Sequence, residues 1–192
     1  MAEPAEQAIE AKEKDRTVAL IIAVLALLLA LAEAGSKQAQ HLSIEKNIEA
    51  SDLFNFYQAK RIRETVVQTA ARTVEAQKAA AAPDAQGALD KALADLNAAA
   101  ARLQKDPAKP ENSLGAIEER ANAAGEAREL ANRRLQHYEF GSGLAQIAIV
   151  LASAAIITDV SLLIWFSAAL GAVGAALLAF GFLAPTALPF MG

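Results

Sequence analysis

The chain of 192 residues contains no cysteine, which excludes disulfides, thiolate metal sites and a cysteine nucleophile. Its only histidines are His41 and His137, and no phosphate-binding glycine loop, zinc motif or nucleophile motif occurs. A net charge of −4 supplies no basic field for nucleic acid, so none is expected as a partner. Aromatics make up 5 % of the residues, too few for a large extramembrane core. From Ser36 to Ala82 there is neither glycine nor proline, and after Arg134 neither lysine nor arginine. No catalytic constellation and no cofactor signature is visible, so the chain does not read as an enzyme.

What is present is apolar sequence in blocks. Hydrophobic residues make up 54 % of the chain, yet 21 % of residues are charged, a mixture that suits a membrane protein with a polar part outside the bilayer. Val18 to Ala32 is unbroken and, with its flanks, gives a minimal span over 17–34. Gly141 to Thr158 is a second span and Val160 to Leu183 a third, long enough to cross with some tilt. Only Thr158 and Asp159 separate the last two, so they form an antiparallel helical pair with Asp159 placed to cap the final helix. A polar tail, residues 1–16, precedes the first span, and a short tail, residues 184–192, follows the third. The first apolar run also has the A-x-A ending of a cleaved leader, but five acids against three bases precede Val18, which favours a retained anchor.

Residues 35–140 read as a helical stalk outside the membrane. Good helix formers run unbroken to Ala82. Pro83 and Asp84 interrupt, with Asp84 able to cap a second helix, and the stretch Lys105 to Asn112 breaks the chain again with two prolines. A third helix begins near Ser113 and continues into the second span. The outgoing leg would be about 70 Å and the two return helices together about 75 Å at 1.5 Å per residue, so a hairpin that returns to the bilayer is feasible. The expected fold is therefore an all-α membrane protein with one N-terminal transmembrane helix, a long helical hairpin stalk and a C-terminal transmembrane pair. Lys12, Lys14 and Arg16 before the first span favour a cytoplasmic N-terminus and a stalk on the outer side.

Four sets of residues carry the interaction readings. Ile44, Ile48, Ser51, Asn55, Gln58 and Ile62 follow a 4-3-4-3-4 spacing, a seam with aliphatic ends and a polar middle. That middle reads equally as a buried polar layer or as a solvated face. Leu53, Phe56 and Tyr57 point to roughly the opposite side, too far beyond the first span for an interfacial aromatic belt. They read as a packing anchor against the small residues Ala121, Ala124 and Gly125 of the returning helix. A rival reading bends the helix at Gly35 and lays it on the bilayer with Lys60, Arg61 and Arg63 at lipid phosphates. Ser167, Gly171 and Ala175 recur every fourth residue in the last span, the pattern that lets helices meet closely, with contact between subunits as the sharper reading. His41, Glu45, His137 and Glu139 are weak metal-ligand candidates, since each histidine lies a few residues outside a span with a carboxylate nearby.

The stretch NIEASDLFNFYQAKRIRE, Asn47 to Glu64, resembles the signature of a bacterial membrane family, domain of unknown function 4337. The segment LAQIAIVLASAAIIT, Leu144 to Thr158, is similar to the second span of that family. The resemblance implies one N-terminal span, a charged helical middle and a C-terminal pair, and it implies no activity. Asp159 departs from the pattern, standing where basic residues are usual. The combined expectation is a non-enzymatic, oligomeric scaffold or accessory subunit of the bacterial inner membrane. It would have the lipid bilayer and further copies of itself as partners, within a larger membrane complex, and a periplasmic stalk. The alternative is a channel or transport-related protein whose last span lines a pore.

Overall fold

The computed structural model describes the backbone of residues 3–187 and the side chains of residues 16–187. The side chains of Lys12 and Lys14 and the end of the C-terminal tail lie outside the described residues. The described structure is helical throughout: α1 (Glu3–Ala80), α2 (Pro83–Gln104), a 3-10 turn (Pro110–Asn112), α3 (Leu114–Thr158) and α4 (Ser161–Leu183). No strand occurs among the described residues. Three of the helices, α1, α3 and α4, are long and apolar enough to cross a membrane.

Local chemistry accounts for the breaks. Pro83 opens α2 at a position whose N–H would have no helical partner in any case. Asp84 does not cap that helix. Ala82 is the N-cap, and Asp84 lies in the first turn, where its charge complements the helix dipole. Between α2 and α3, Asp106 folds the chain by accepting hydrogen bonds from the N–H groups of Ala108 and Lys109 at 3.0 and 3.1 Å. Asp159 likewise does not cap α4; Val160 holds that place without a side-chain hydrogen bond. Asp159 instead adopts a φ of 54°, the left-handed conformation that aspartate tolerates better than most residues, and so reverses the chain between α3 and α4. The bend at Gly35 is absent, because α1 is helical on both sides of that residue.

The chain divides into two compact units, Met1–Ile44 with Arg128–Gly192, and Glu45–Ala127. In the first, the inward residues are almost all small. On α1 they are Val18, Leu25, Ala32 and Ala39, one every seventh residue. On α3 they are Ala131, Ala145, Ala148, Ala152 and Ala155, and on α4 Ser167, Gly171, Gly174 and Gly181. Large apolar residues such as Leu20, Leu27, Ile157, Trp165 and Phe182 face outward and are more than half exposed. This inversion, small inside and large outside, is what a lipid environment selects, since joining apolar helices there brings no hydrophobic gain and close backbone contact must provide the attraction.

The second unit is built the other way, around one apolar cluster and buried polar anchors. Leu53 of α1 packs against Ile117 and Ala121 of α3, with Tyr57 at the edge. Lys60 is buried and donates to the backbone carbonyl of Asn112. Glu64, 2 % exposed, accepts from Arg61 Nη1 at 2.9 Å, from Gln68 Nε2 at 2.9 Å and from Gln104 Nε2 of α2. Lys78 and Asp90 form an ion pair between α1 and α2. A single carboxylate thus ties two helices together through donors that would be left unpaired without it.

The Gln104 amide is the largest influence holding the Glu64 carboxyl below its ordinary range, and Arg61 and Gln68 add to it against the opposing cost of burial. Because the folded value lies below the unfolded one, the stabilisation is complete above the ordinary carboxylate range and is lost as pH falls through the folded value. Acid unfolding of this unit, followed by amide hydrogen exchange in α2, is therefore expected to steepen below about pH 4.3. In Glu64→Gln that steepening should flatten, with stability lowered by about 1–3 kcal/mol at neutral pH. An acid response unchanged by the substitution would show that Glu64 does not hold α2.

Candidate functional site

The proposed metal ligands do not gather. His137 is fully buried, whereas His41, Glu45 and Glu139 are exposed, and no group of three His, Asp or Glu side chains able to hold a metal occurs among the described residues. His137 has a different setting. Its Nε2 lies 3.3 Å from the carbonyl of Pro185, just beyond α4, while its Nδ1 is buried without a partner. His137 therefore belongs to a junction between helices.

Tyr138, the neighbour of His137, is the centre of that junction. A Cβ added to Gly35 of α1 would stand 3.0 Å from the Tyr138 ring, and one added to Gly181 of α4 would stand 2.8 Å from it and 2.9 Å from His137 Cβ. The ring is held between two glycines from two different helices. Nothing bulkier than hydrogen fits at either face without displacing it. The sequence offered one signal for this contact, since Tyr138 is the only Tyr or other aromatic residue between Tyr57 and Phe140. It offered none that would pair the ring with Gly35 and Gly181 in particular.

The small-residue face of α4 is spent inside the chain. Ser167 Oγ, fully buried, donates to the carbonyl of Ala148 on α3 at 2.7 Å. Gly171 receives Leu25 of α1, whose Cδ2 occupies the place a Cβ would take. Gly174 and Gly141 bring the backbones of α4 and α3 together, a Cβ on Gly174 falling 3.0 Å from the Gly141 carbonyl oxygen. Ala175 is exposed, at the edge of an apolar groove between α1 and α4. Ser167 and Gly171 thus each meet another helix of the same chain, while Ala175 stays open to the groove.

In the second unit, Leu53, Ala121 and Ala124 are buried and Tyr57 half-buried. Phe56 is 41 % exposed and stands outside the cluster, so it does not carry the packing role read from the sequence. The space beside Gly125 is open, with no atom within 4 Å of an added Cβ, so no ring closes on it. The seam residues Ile44, Ile48, Ser51, Asn55, Gln58 and Ile62 are all exposed, the three isoleucines by more than half. From Ala50 to Glu64 the buried positions of α1 are Ala50, Leu53, Lys60 and Glu64, each two places from a seam residue. Two places on a helix are about 200° of rotation, so the seam faces directly away from the unit's own core. Val66, also exposed, extends it.

A family model described as a domain of unknown function, DUF4337, matches residues 14–184. The chain belongs to this family. The match takes in the apolar stretches of all three long helices and the whole polar segment between them, leaving out residues 1–13 and 185–192. No curated protein and no solved structure matches the chain.

The glycine contacts give a direct expectation. Gly181→Val forces Tyr138 off its seat and should destabilise the first unit by about 1–3 kcal/mol. Gly171→Leu, which collides with Leu25 of the same chain, should reduce the folded yield without first dividing an oligomer. Gly87→Ala, in α2 with open space around it, should instead stabilise by about 0.5–1 kcal/mol. Thermal unfolding in detergent, followed by circular dichroism, orders the three. Unchanged unfolding in Gly181→Val would show that the ring is not clamped.

Proposed function

We propose that this protein is a non-enzymatic, membrane-anchored scaffold or accessory subunit of the bacterial inner membrane that self-associates through the outward seam of α1. The observation that carries this reading is the exposed row Ile48, Ser51, Asn55, Gln58 and Ile62 at alternating spacings of three and four, opposite the buried face of the same helix. Isoleucines exposed at that spacing are costly to leave in water, and they match the a and d positions of a two-stranded coiled coil.

Anchoring supports a second copy of the chain as the occupant. Copies held in one bilayer by the same span lie parallel, so each seam residue meets its own counterpart. Asn55 then faces Asn55 and Gln58 faces Gln58, where paired amides donate to and accept from one another and fix the register. The Ile48 and Ile62 layers close the ends of this polar section. The pore alternative has less support, because the small residues that would line it pack against α1 and α3 of the same chain. Arg16, beside the first span, favours a cytoplasmic N-terminus and hence a periplasmic stalk. An impermeant thiol reagent that labels Lys91→Cys from outside intact cells supports that side, and labelling only after lysis reverses it.

Mass measurement of the purified protein in detergent tests the central reading. The wild type is expected as a dimer or higher oligomer, and Ile48→Lys with Ile62→Lys is expected as a single chain with unchanged helicity. A wild-type particle of one chain, or a double variant with undiminished mass, would remove the seam as the contact.

A further inference from the structure

A cleft of about 260 Å³ opens beside the Tyr138 junction, between Gln38 and Leu42 of α1, Arg134 and Tyr138 of α3, and Phe182 of α4. We propose that this cleft binds an anionic phosphate group at Arg134, carried by a membrane lipid or free in solution. The inference goes beyond the scaffold reading and rests on it only for the presence of a bilayer.

Three observations carry it. The first is the state of Arg134. Its Nε is buried without a hydrogen-bond partner. Among the described residues the guanidinium has no ion-pair or hydrogen-bond partner, whereas its neighbour Arg133 is paired with Glu129 at 3.1 Å. A guanidinium offers five donors and no acceptor, and leaving a buried donor unmet is costly. The second is the lining. Its polar side chains are Arg134, Gln38 and Tyr138, all able to donate, and no carboxylate is among them. A site of donors around one cation selects a ligand rich in acceptor oxygens and negatively charged, which describes phosphate.

The third is size and place. The volume lies below the roughly 300–1,000 Å³ of pockets for drug-sized molecules, so it suits one small charged group. Arg134 precedes Gly141, where the apolar stretch of α3 begins, by seven residues, or about 10 Å along the helix. Phe182, 75 % exposed, closes the apolar end of the cleft at the last turn of α4. The long Arg134 side chain is therefore within reach of lipid head groups at the stalk end of the spans.

Native mass spectrometry of the full-length protein from detergent, offered phosphatidylglycerol or phosphatidylcholine, reads the site. The wild type is expected to retain phosphatidylglycerol about tenfold more strongly, the size of one charge-assisted contact. Arg134→Gln should lose that preference and Arg134→Lys keep part of it. In a separate arm, inorganic phosphate is added without lipid. A rise in thermal midpoint there, lost in Arg134→Gln, supports a free anion as the ligand, and a preference seen only with phosphatidylglycerol supports the lipid. A wild type that distinguishes neither phosphatidylglycerol from phosphatidylcholine nor phosphate from buffer overturns the proposal, whether or not the variants fold. A preference that survives in a folded Arg134→Gln overturns it too. Cell fractionation without detergent reports on the membrane reading alone, so the two can fail separately.

Discussion

A phenol ring seated between two glycines fixes how the three apolar helices meet. Gly35, Tyr138 and Gly181 come from α1, α3 and α4, and each lies just beyond or at the edge of the apolar part of its helix. Below this point the same helices touch through Ala, Gly and Ser, with Leu25 against Gly171 and Ser167 bonded to the Ala148 carbonyl. Such contacts are individually weak and depend on backbones approaching closely, so a bulky side chain at one of them separates the pair. The outward display of Leu, Ile, Phe and Trp follows from the same constraint, because inside a bilayer those side chains lose nothing by facing lipid.

The polar unit solves its packing with different means. Its one apolar cluster, around Leu53, Ile117 and Ala121, is small. The remaining order comes from Glu64 and Lys60, buried and satisfied by groups on α2 and on the turn before α3. Buried charges are poor sources of net stability but penalise misaligned pairings heavily, since a shifted register would strand them. Alanine-rich helices such as α2 offer little else to define their neighbours. The opposite side of α1 carries the row of exposed isoleucines and amides, which gives the helix one face for its own chain and another for a proposed second copy.

How much of this the sequence revealed follows from the range of the signals. The helical class and the three apolar helices were legible because both rest on local composition and length. The faces of α1 were legible because a 3.6-residue period separates positions two apart by more than half a turn. Partners across the fold were not. Phe56 and Leu53 have equal claim to be an anchor by type and spacing, and it is Leu53 that meets Ile117 and Ala121 of α3. The glycines of α4 advertise close contact without naming the partner, and their partners are helices of the same chain. Glu64 and Arg134 gave no sign by type, and the isolation of Tyr138 named no partner, because the cross-helix neighbours that give each its role lie far away in the chain.

In the proposed assembly the outward seam of α1 joins copies while the small-residue face of α4 stays within one chain. Since the natural chain has no cysteine, single cysteines report each contact without background. Oxidative cross-linking in native membranes of Asn55→Cys, with Ser167→Cys as its counterpart, separates the two faces. Disulfide-linked dimers from Asn55→Cys and none from Ser167→Cys are the predicted result. Dimers from Ser167→Cys without any from Asn55→Cys would contradict it.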